Sequence, residues 1–335
     1  MMTRIAMLTQ GRLARPLMDG FAANGCQVIP VANGTLDFTG FDYLLLYGPM
    51  APIGRLITKL KSIPNLPPVI FWYTEQMPDP RMPPWLALIL ARGRYRSWKW
   101  YDEFLLKNNT LGSGGRLPFP AMGRLRGVGE IIEMHKSGLL KIVCTFSQTN
   151  ARFLARFQLP VAEIPIGFHP FFGERLGLER DIDVVFLGTT RDARRQRWIP
   201  RLEQELGKVN IRFVVKDGSP KQGYLFDRER TQLLNRTRIM LNVMRQPWDD
   251  ALYRFLLAAA NGVLLLSEPL QIESRGPLKP GVHFVESRLD EIVQKIIQTL
   301  DSPSSRETIV ENADNLIGSA LTMPKMTALC LKQMA

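Results

Sequence analysis

Cysteine, histidine and acidic side chains are all scarce in this 335-residue sequence, and each shortage narrows what it can do. Cysteine occurs three times, at Cys26, Cys144 and Cys330. The number is odd, the spacings are wide, and Cys26 and Cys144 sit in apolar runs. The thiols therefore read as reduced and buried, not as a disulfide framework. Histidine also occurs three times, and His135, His169 and His283 form no metal-ligand spacing with each other or with cysteine. No metal and no cofactor are expected. No run approaches the ~20 apolar residues that cross a bilayer. The apolar stretch near the N-terminus is too short for a signal peptide and reads as a strand, so the expected location is cytoplasmic.

Acids fall short of bases, 31 against 43, which leaves a net charge of +12. Such a surplus favours nucleotide diphosphates, anionic lipid surfaces or nucleic acid, without choosing among them. The charge is uneven. Residues 81–136 carry Arg81, Arg92, Arg94, Arg96, Lys99, Lys107, Arg116, Arg124, Arg126 and Lys136, and a second cluster is Arg191, Arg194, Arg195, Arg197 and Arg201.

What is present is a folding composition, 45% hydrophobic and 22% charged, over a length that suggests two domains. Short apolar runs alternate with helical patterns. Strands are expected at Arg4–Thr9, Gln27–Val31, Asp42–Tyr47, Pro68–Tyr73, Lys141–Phe146 and Val161–Ile164, with a helix over Leu13–Asn24 closed by Gly25. Continuous apolar strands separated by helices imply a parallel sheet covered on both faces. From about Gln76 to Gly138 the alternation breaks. Pro, Gly and Arg are dense there and the aromatics Trp85, Tyr95, Trp98, Trp100, Tyr101 and Phe104 cluster, so the segment reads as an irregular basic insert. Its glycine-rich stretch Leu111–Arg116 neither follows a strand nor opens a helix, as a phosphate loop should. A second α/β pattern runs through strands at Asp183–Leu187, Arg212–Val215, Ile239–Val243 and Val263–Leu266 and helices at Arg194–Leu206, Asp227–Arg236, Ala251–Ala260 and Leu289–Leu300.

Ligands of open parallel sheets bind beyond the carboxyl ends of the strands. Four features of the second half fall there. Gly188 permits close backbone approach, Thr189 and Thr190 offer hydroxyls, and Arg191 offers a fork of donors for phosphate oxygens. Lys216 ends the next strand. Arg245 and Asp249 lie in the loop that follows Asn242. Arg254 opens a helix whose small residues, Ala258 to Ala260, let it approach the sheet, and a helix start adds positive potential toward a diphosphate. Each has a bland alternative, a solvated turn or a surface arginine.

The stretch Arg254-Phe-Leu-Leu-Ala-Ala-Ala-Asn-Gly262, followed by Val-Leu-Leu-Leu-Ser-Glu268, resembles the arginine to acidic-residue signature of GT-B glycosyltransferases, in particular the group related to spore-maturation glycosyltransferase-like proteins. Phe146-Ser-Gln-Thr-Asn150, Ile164-Pro-Ile-Gly-Phe-His-Pro170, Asp183–Gly188, Lys279–Val285 and Leu289–Val293 resemble other parts of that pattern in order. The likeness spans roughly residues 140–315. It implies an α/β fold of two Rossmann-like domains facing a cleft, the GT-B architecture. Expected boundaries are 1–168 for an acceptor domain with the insert at about 76–138, 169–320 for a nucleotide-sugar domain, and 321–335 for a terminal helix packing back on the first domain.

One departure matters. The family glutamate that holds the donor ribose falls on Leu257, which cannot accept those hydrogen bonds. The earlier acidic position falls on Asp249, so Asp249 or Glu268 is the expected replacement. Asp181 and Asp183 spell the metal motif of the other large glycosyltransferase fold, but they precede a strand where that motif should follow one. On the acceptor side, Gly11 lets the backbone approach the ligand, Glu75 follows an apolar strand where burial would suit it to general-base work, and His169 stands at the domain junction.

The expected function is transfer of a sugar from a nucleotide-diphosphate sugar, UDP-linked as a working choice, to a hydroxyl of a glycan, lipid-linked or small-molecule acceptor, without a metal. Arg191 and Arg254 would neutralise the leaving diphosphate. The insert would meet the acceptor or an anionic membrane surface. Two alternatives are carried: a non-catalytic GT-B-fold protein that binds a nucleotide or glycan, and a nucleic-acid-binding protein. No helix-turn-helix, zinc-finger or RNP motif supports the latter, so no specific nucleic acid is expected.

Overall fold

The computed structural model describes residues 2–9, 14–31, 37–48, 57, 60–107, 123–217, 225–270 and 277–334, with the backbone alone at 9, 98–107, 123, 124 and 126. The chain divides into two compact units, Met1–Ile164 with Met326–Ala335, and Pro165–Lys325.

The first unit is built on strands β1 (Arg4–Thr9), β2 (Gln27–Pro30), β3 (Tyr43–Tyr47), β4 (Val69–Tyr73), β5 (Leu140–Thr145) and β6 (Val161–Glu163). They form one sheet in the order β2-β1-β3-β4-β5-β6, and every pair is parallel. All five residues of β4 are buried, as a strand covered on both faces requires. Helices α1 (Ala14–Ala22), α2 (Pro84–Lys107), α3 (Gly123–Lys136) and α4 (Gln148–Ala155) belong to this unit.

The irregular insert expected over 76–138 is a correction, because much of it is helical. Helix α2 buries Ala87 and Ala91, and α3 buries Val128, Ile131 and Met134 in the same core as Phe71 and Val143. Gly129 makes the close approach possible, since a Cβ there would stand 2.4 Å from the Ala91 carbonyl oxygen. Arginine and glycine along both helices blur the apolar period that marks a helix in sequence. The stretch Leu111–Arg116 lies outside the described residues.

The last helix, α10 (Met323–Met334), contributes its residues from Met326 onward to the first unit. The Cys330 Sγ lies 3.6 Å from Cys144 Sγ, and Thr327 Oγ1 accepts from Asn24 Nδ2 at 3.0 Å. All three cysteines are free thiols and buried. Burial pushes the Cys26 thiol up.

The second unit begins with a single 3-10 turn (Pro170–Phe172). Strands β7 (Ile182–Leu187), β8 (Phe213–Lys216), β9 (Thr237–Asn242), β10 (Leu264–Ser267) and β11 (Val285–Glu286) form a parallel sheet in the order β11-β10-β9-β7-β8. Helices α5 (Ala193–Lys208), α6 (Asp227–Asn235), α7 (Leu252–Ala260), α8 (Ile292–Leu300) and α9 (Pro303–Ser319) accompany it. The chain leaves β7 toward β8 on one side and returns to pair β9 on the other, so the strand order reverses between β7 and β9. In open α/β sheets the carboxyl ends at such a reversal are where ligands bind. The two-residue β11 is too short to show any alternation in sequence, and the polar α9 gives little apolar period.

Candidate functional site

Arg254 occupies the reversal point. It leaves the first turn of α7 and donates from Nη1 to Asn242 Oδ1 (3.0 Å), just past which β9 ends, and from Nη2 to the Leu187 carbonyl oxygen at the end of β7 (3.5 Å). Its guanidinium lies 5.8 Å from the Phe186 ring centroid. Its Nε is buried and has no hydrogen-bond partner among the described residues. Gly188 makes room for it: φ there is +148, and a Cβ would come within 2.9 Å of Arg254 Nη2. Both the backbone angle and the close approach favour glycine.

A second arginine lies beneath. Arg195 is 1% exposed, donates to the Val243 carbonyl (2.8 Å) and the Thr189 carbonyl (3.1 Å), and stacks 5.3 Å from the same Phe186 ring. Its Nη2 is also without a partner among the described residues, and its carboxylate neighbour Asp192 is 3.8 Å away. Burial, with the Arg254 charge next, pushes its pKa down to about 9. Burial lowers Arg254 as well, with Asp249 the largest counterweight. Two guanidinium groups thus share one apolar wall with less negative charge than they could use, and an arriving anion would relieve that shortage.

A polar chain continues from Arg254 across the strand ends. Asn242 Nδ2 donates to Ser267 Oγ (2.9 Å), which donates to the Glu268 carbonyl (2.8 Å). The Glu268 carboxylate is buried. It accepts both Nη groups of Arg194 and the Met244 N–H at 2.7 Å. Glu268 therefore clamps the start of α5 to the ends of β9 and β10. Glu268 was expected, with Asp249, as a replacement for the ribose-binding glutamate, and here its carboxylate is engaged by Arg194 and the Met244 N–H. Asp249 is buried and accepts from Arg245 through the backbone N–H and Nε, both at 3.2 Å. Leu257 is buried in the apolar face of α7.

The remaining expected residues of this half lie along the same edge. The Thr190 N–H donates to Asp217 Oδ1 (3.0 Å), which ties the β7 loop to the end of β8. Arg191 is exposed, its N–H resting on Thr189 Oγ1 (3.3 Å), and Lys216 is exposed. Sequence reasoning gave no role to Arg194, Arg195, Asn242 or Asp250. Asp250 sits before α7, where Oδ1 accepts the Leu252 N–H (3.1 Å). Burial, then the Asp249 carboxylate, pushes it up to about 7. The arginine cluster was visible in sequence. Which of its members turns inward was not, because that depends on Phe186 and on the carbonyls of Thr189 and Val243.

The acceptor-side candidates fare differently. Glu75 is exposed, so the burial on which its candidacy as a base rested is absent, and its carbonyl accepts Asn150 Nδ2 (3.1 Å). His169 caps the 3-10 turn, its Nδ1 accepting the Phe171 N–H (3.0 Å), and it belongs to the second unit. Gly11 lies outside the described residues. Asp181 pairs with Arg212 and Arg236, and Asp183 with Arg238 (2.7 Å). The Arg236 guanidinium holds the Asp181 carboxyl well below the usual range. These acids stand at the amino end of β7 and are committed to ion pairs. Among the described residues no group of three or more His, Cys, Asp or Glu is placed to hold a metal.

Residues 183–323 match the model of a family described as glycosyl transferase-like. The chain is similar in structure to HepE of Anabaena in complex with UDP, at 9% identity and a TM-score of 0.58, with 99% of each chain covered. It is also similar to sucrose-phosphate synthase of Thermosynechococcus elongatus, at 11% identity and a TM-score of 0.57, again with 99% of each chain covered. TarM matches over 87% of this chain at 9% identity and a TM-score of 0.56, and this chain spans 54% of TarM. The chain has the GT-B fold. The matched residues 183–323 fall within the unit that carries Arg254 and Arg195. No curated protein sequence matches it. Among the described residues no helix is long and apolar enough to cross a membrane.

Proposed function

We propose that this GT-B protein is a glycosyltransferase that moves a sugar from a nucleotide-diphosphate sugar to a hydroxyl acceptor, with the diphosphate seated on the carboxyl edge of the second sheet. One observation carries the reading. Two arginines lie against Phe186 where the strand order reverses, each with a buried N–H that has no partner among the described residues. Preorganised cations at that place would stabilise the charge that grows on the departing diphosphate, and α7 opens beside them. HepE holds UDP in its complex, and a uridine diphosphate is the first donor to test here. We assign no base to the acceptor side. The acceptor class, a glycan, a lipid-linked sugar or a small molecule, and a peripheral position at an anionic bilayer are parts of the same proposal, the latter supported by the +12 charge.

A second reading, a GT-B protein that binds a nucleotide without turning it over, is favoured by Leu257 and by the engagement of Glu268. Calorimetric titration of the chain with UDP, GDP and TDP, followed by assays of UDP-sugar hydrolysis and transfer, separates the two. Binding with turnover is the expected result. Binding without hydrolysis or transfer across a panel of UDP-sugars selects the second reading. No binding of any nucleotide at millimolar concentration overturns both.

A further inference from the structure

Helix α2 presents one exposed face that its own unit does not use. Trp85, Ile89, Arg92 and Arg96 stand at helical positions i, i+4, i+7 and i+11, a single stripe ~16 Å long. All four are exposed, Trp85 by 64% and Ile89 by 60%. Single exposed apolar side chains are ordinary, whereas a large aromatic and a large aliphatic residue one turn apart are a patch. Beside the stripe runs a groove of about 260 Å³, with Trp85, Leu88, Ile132 and Leu159 as its apolar lining and Arg92 and Lys136 at its rim. The groove is held in shape by Arg156, which donates to the carbonyls of Pro80 and Met82, both at 2.6 Å, and so fixes the chain entering α2. Among the described acids nearby, Asp79 pairs with Arg81 (2.8 Å), Glu133 with Lys61 (3.6 Å), and Glu130 is buried. The patch therefore keeps a positive rim around an apolar centre.

We propose that this face of α2, with its groove, docks the protein on an anionic phospholipid surface. Trp85 and Ile89 would enter the boundary between headgroups and acyl chains, and Arg92, Arg96 and Lys136 would meet lipid phosphates. The chemistry of the stripe selects that occupant. Tryptophan favours the membrane interface because one edge is apolar and the other can donate a hydrogen bond, and basic residues on the same face select anionic lipid. Among the described residues Arg92, Arg96 and Lys136 have no ion-pair partner, and a layer of lipid phosphates supplies one for each while the apolar centre enters the bilayer. The proposal rests on the peripheral position proposed above, which it assigns to named residues, and it stands without the donor reading.

The test is co-sedimentation of the full chain with phosphatidylcholine vesicles, with and without phosphatidylglycerol, at low and high salt. Binding is expected with phosphatidylglycerol, weakened by salt, and absent with phosphatidylcholine alone. The surface variant Trp85→Ala/Ile89→Ala should bind at least about tenfold more weakly. Arg92→Glu/Arg96→Glu should lose roughly fivefold or more for each charge reversed. The control Arg15→Glu/Arg288→Glu makes the same change in net charge away from the patch and should bind as the parent does. Melting curves would show that all three variants fold. Equal losses in the control, equal binding to neutral vesicles, or no binding to either vesicle overturns the proposal. So does a dimer, seen by light scattering, that Trp85→Ala/Ile89→Ala dissociates while vesicle binding is unchanged. UDP titration of the same variants, expected to be unaltered, keeps a failure here distinct from a failure of the donor site.

Discussion

The two edges of the second sheet use the same residue types in opposite ways. At the amino edge, Asp181 and Asp183 meet Arg212, Arg236 and Arg238 in well-matched pairs near solvent. Such pairs contribute little to stability, because water screens them, and they leave nothing for a ligand to do. At the carboxyl edge, Arg195 and Arg254 are drawn inward over Phe186, and each keeps a buried N–H without a partner among the described residues. A buried cation short of negative charge is a poor way to stabilise a fold and a ready way to bind an anion. Arginine content alone would rate the two edges alike. Burial and pairing separate them.

Four substitutions test that difference. The largest effect is expected at Glu268, whose clamp on Arg194 supports the carboxyl edge. Glu268→Gln should destabilise the chain by about 3 kcal/mol in denaturant melts, because it removes one partner of a buried ion pair. Next is Arg254→Ala, which should weaken UDP binding by roughly 10–100-fold, the range for hydrogen bonds to a charged group. Arg236→Ala at the amino edge should leave that affinity unchanged and barely alter stability, because water screens the pair it removes. Full retention of affinity by Arg254→Ala would remove the role given to this residue. Third, Gly188→Ala should weaken UDP binding about tenfold or less, because the new Cβ displaces Arg254 Nη2 and strains a backbone at φ +148.

The smallest effect is the pH response of Asp250. Burial raises its folded pKa to about 7, so the folded protein holds a proton that the unfolded chain has already released. That contribution to stability is fully present below the ordinary carboxylate range and is lost as pH rises through about 7. A carboxylate forming beside Arg254 should also weaken UDP binding over the same range. Asp250→Asn should flatten both profiles, read as melting temperature and as calorimetric affinity from pH 4 to pH 8. A variant that keeps the parent's slope would place the titration elsewhere.

The signature stretch shows how far sequence reasoning reached. Arg254 was expected on a helix facing the carboxyl edge of the second sheet because strands and helices alternate regularly around it, and its guanidinium meets Asn242 and Leu187 there. Asn261, the penultimate residue of that stretch, is fully buried and serves the fold, with Nδ2 donating to the Phe172 carbonyl (3.0 Å) and Oδ1 accepting from Asn235 (3.1 Å). The helices of 76–138 were missed because arginine and glycine along both of them blur the apolar period. Glu75 was misjudged because a residue just past a buried strand can turn either way, and here it turns outward.

Taken alone, the sequence determined the alternation of apolar strands with helices, and so two parallel sheets. It also placed the glycine after β7 and the arginine on α7, because those features depend on local pattern and chain order. Only the tertiary structure decided which charges are paired. Asp181 and Glu268 are both acids beside arginines, yet one binds them at the surface and the other in the interior. Asp250 and Glu75 are both acids past strand ends, yet one is driven up by burial and the other is exposed. Whether a charged group works for the fold or is kept for a ligand depends on its desolvation and its partners. Both are set by residues far away along the chain.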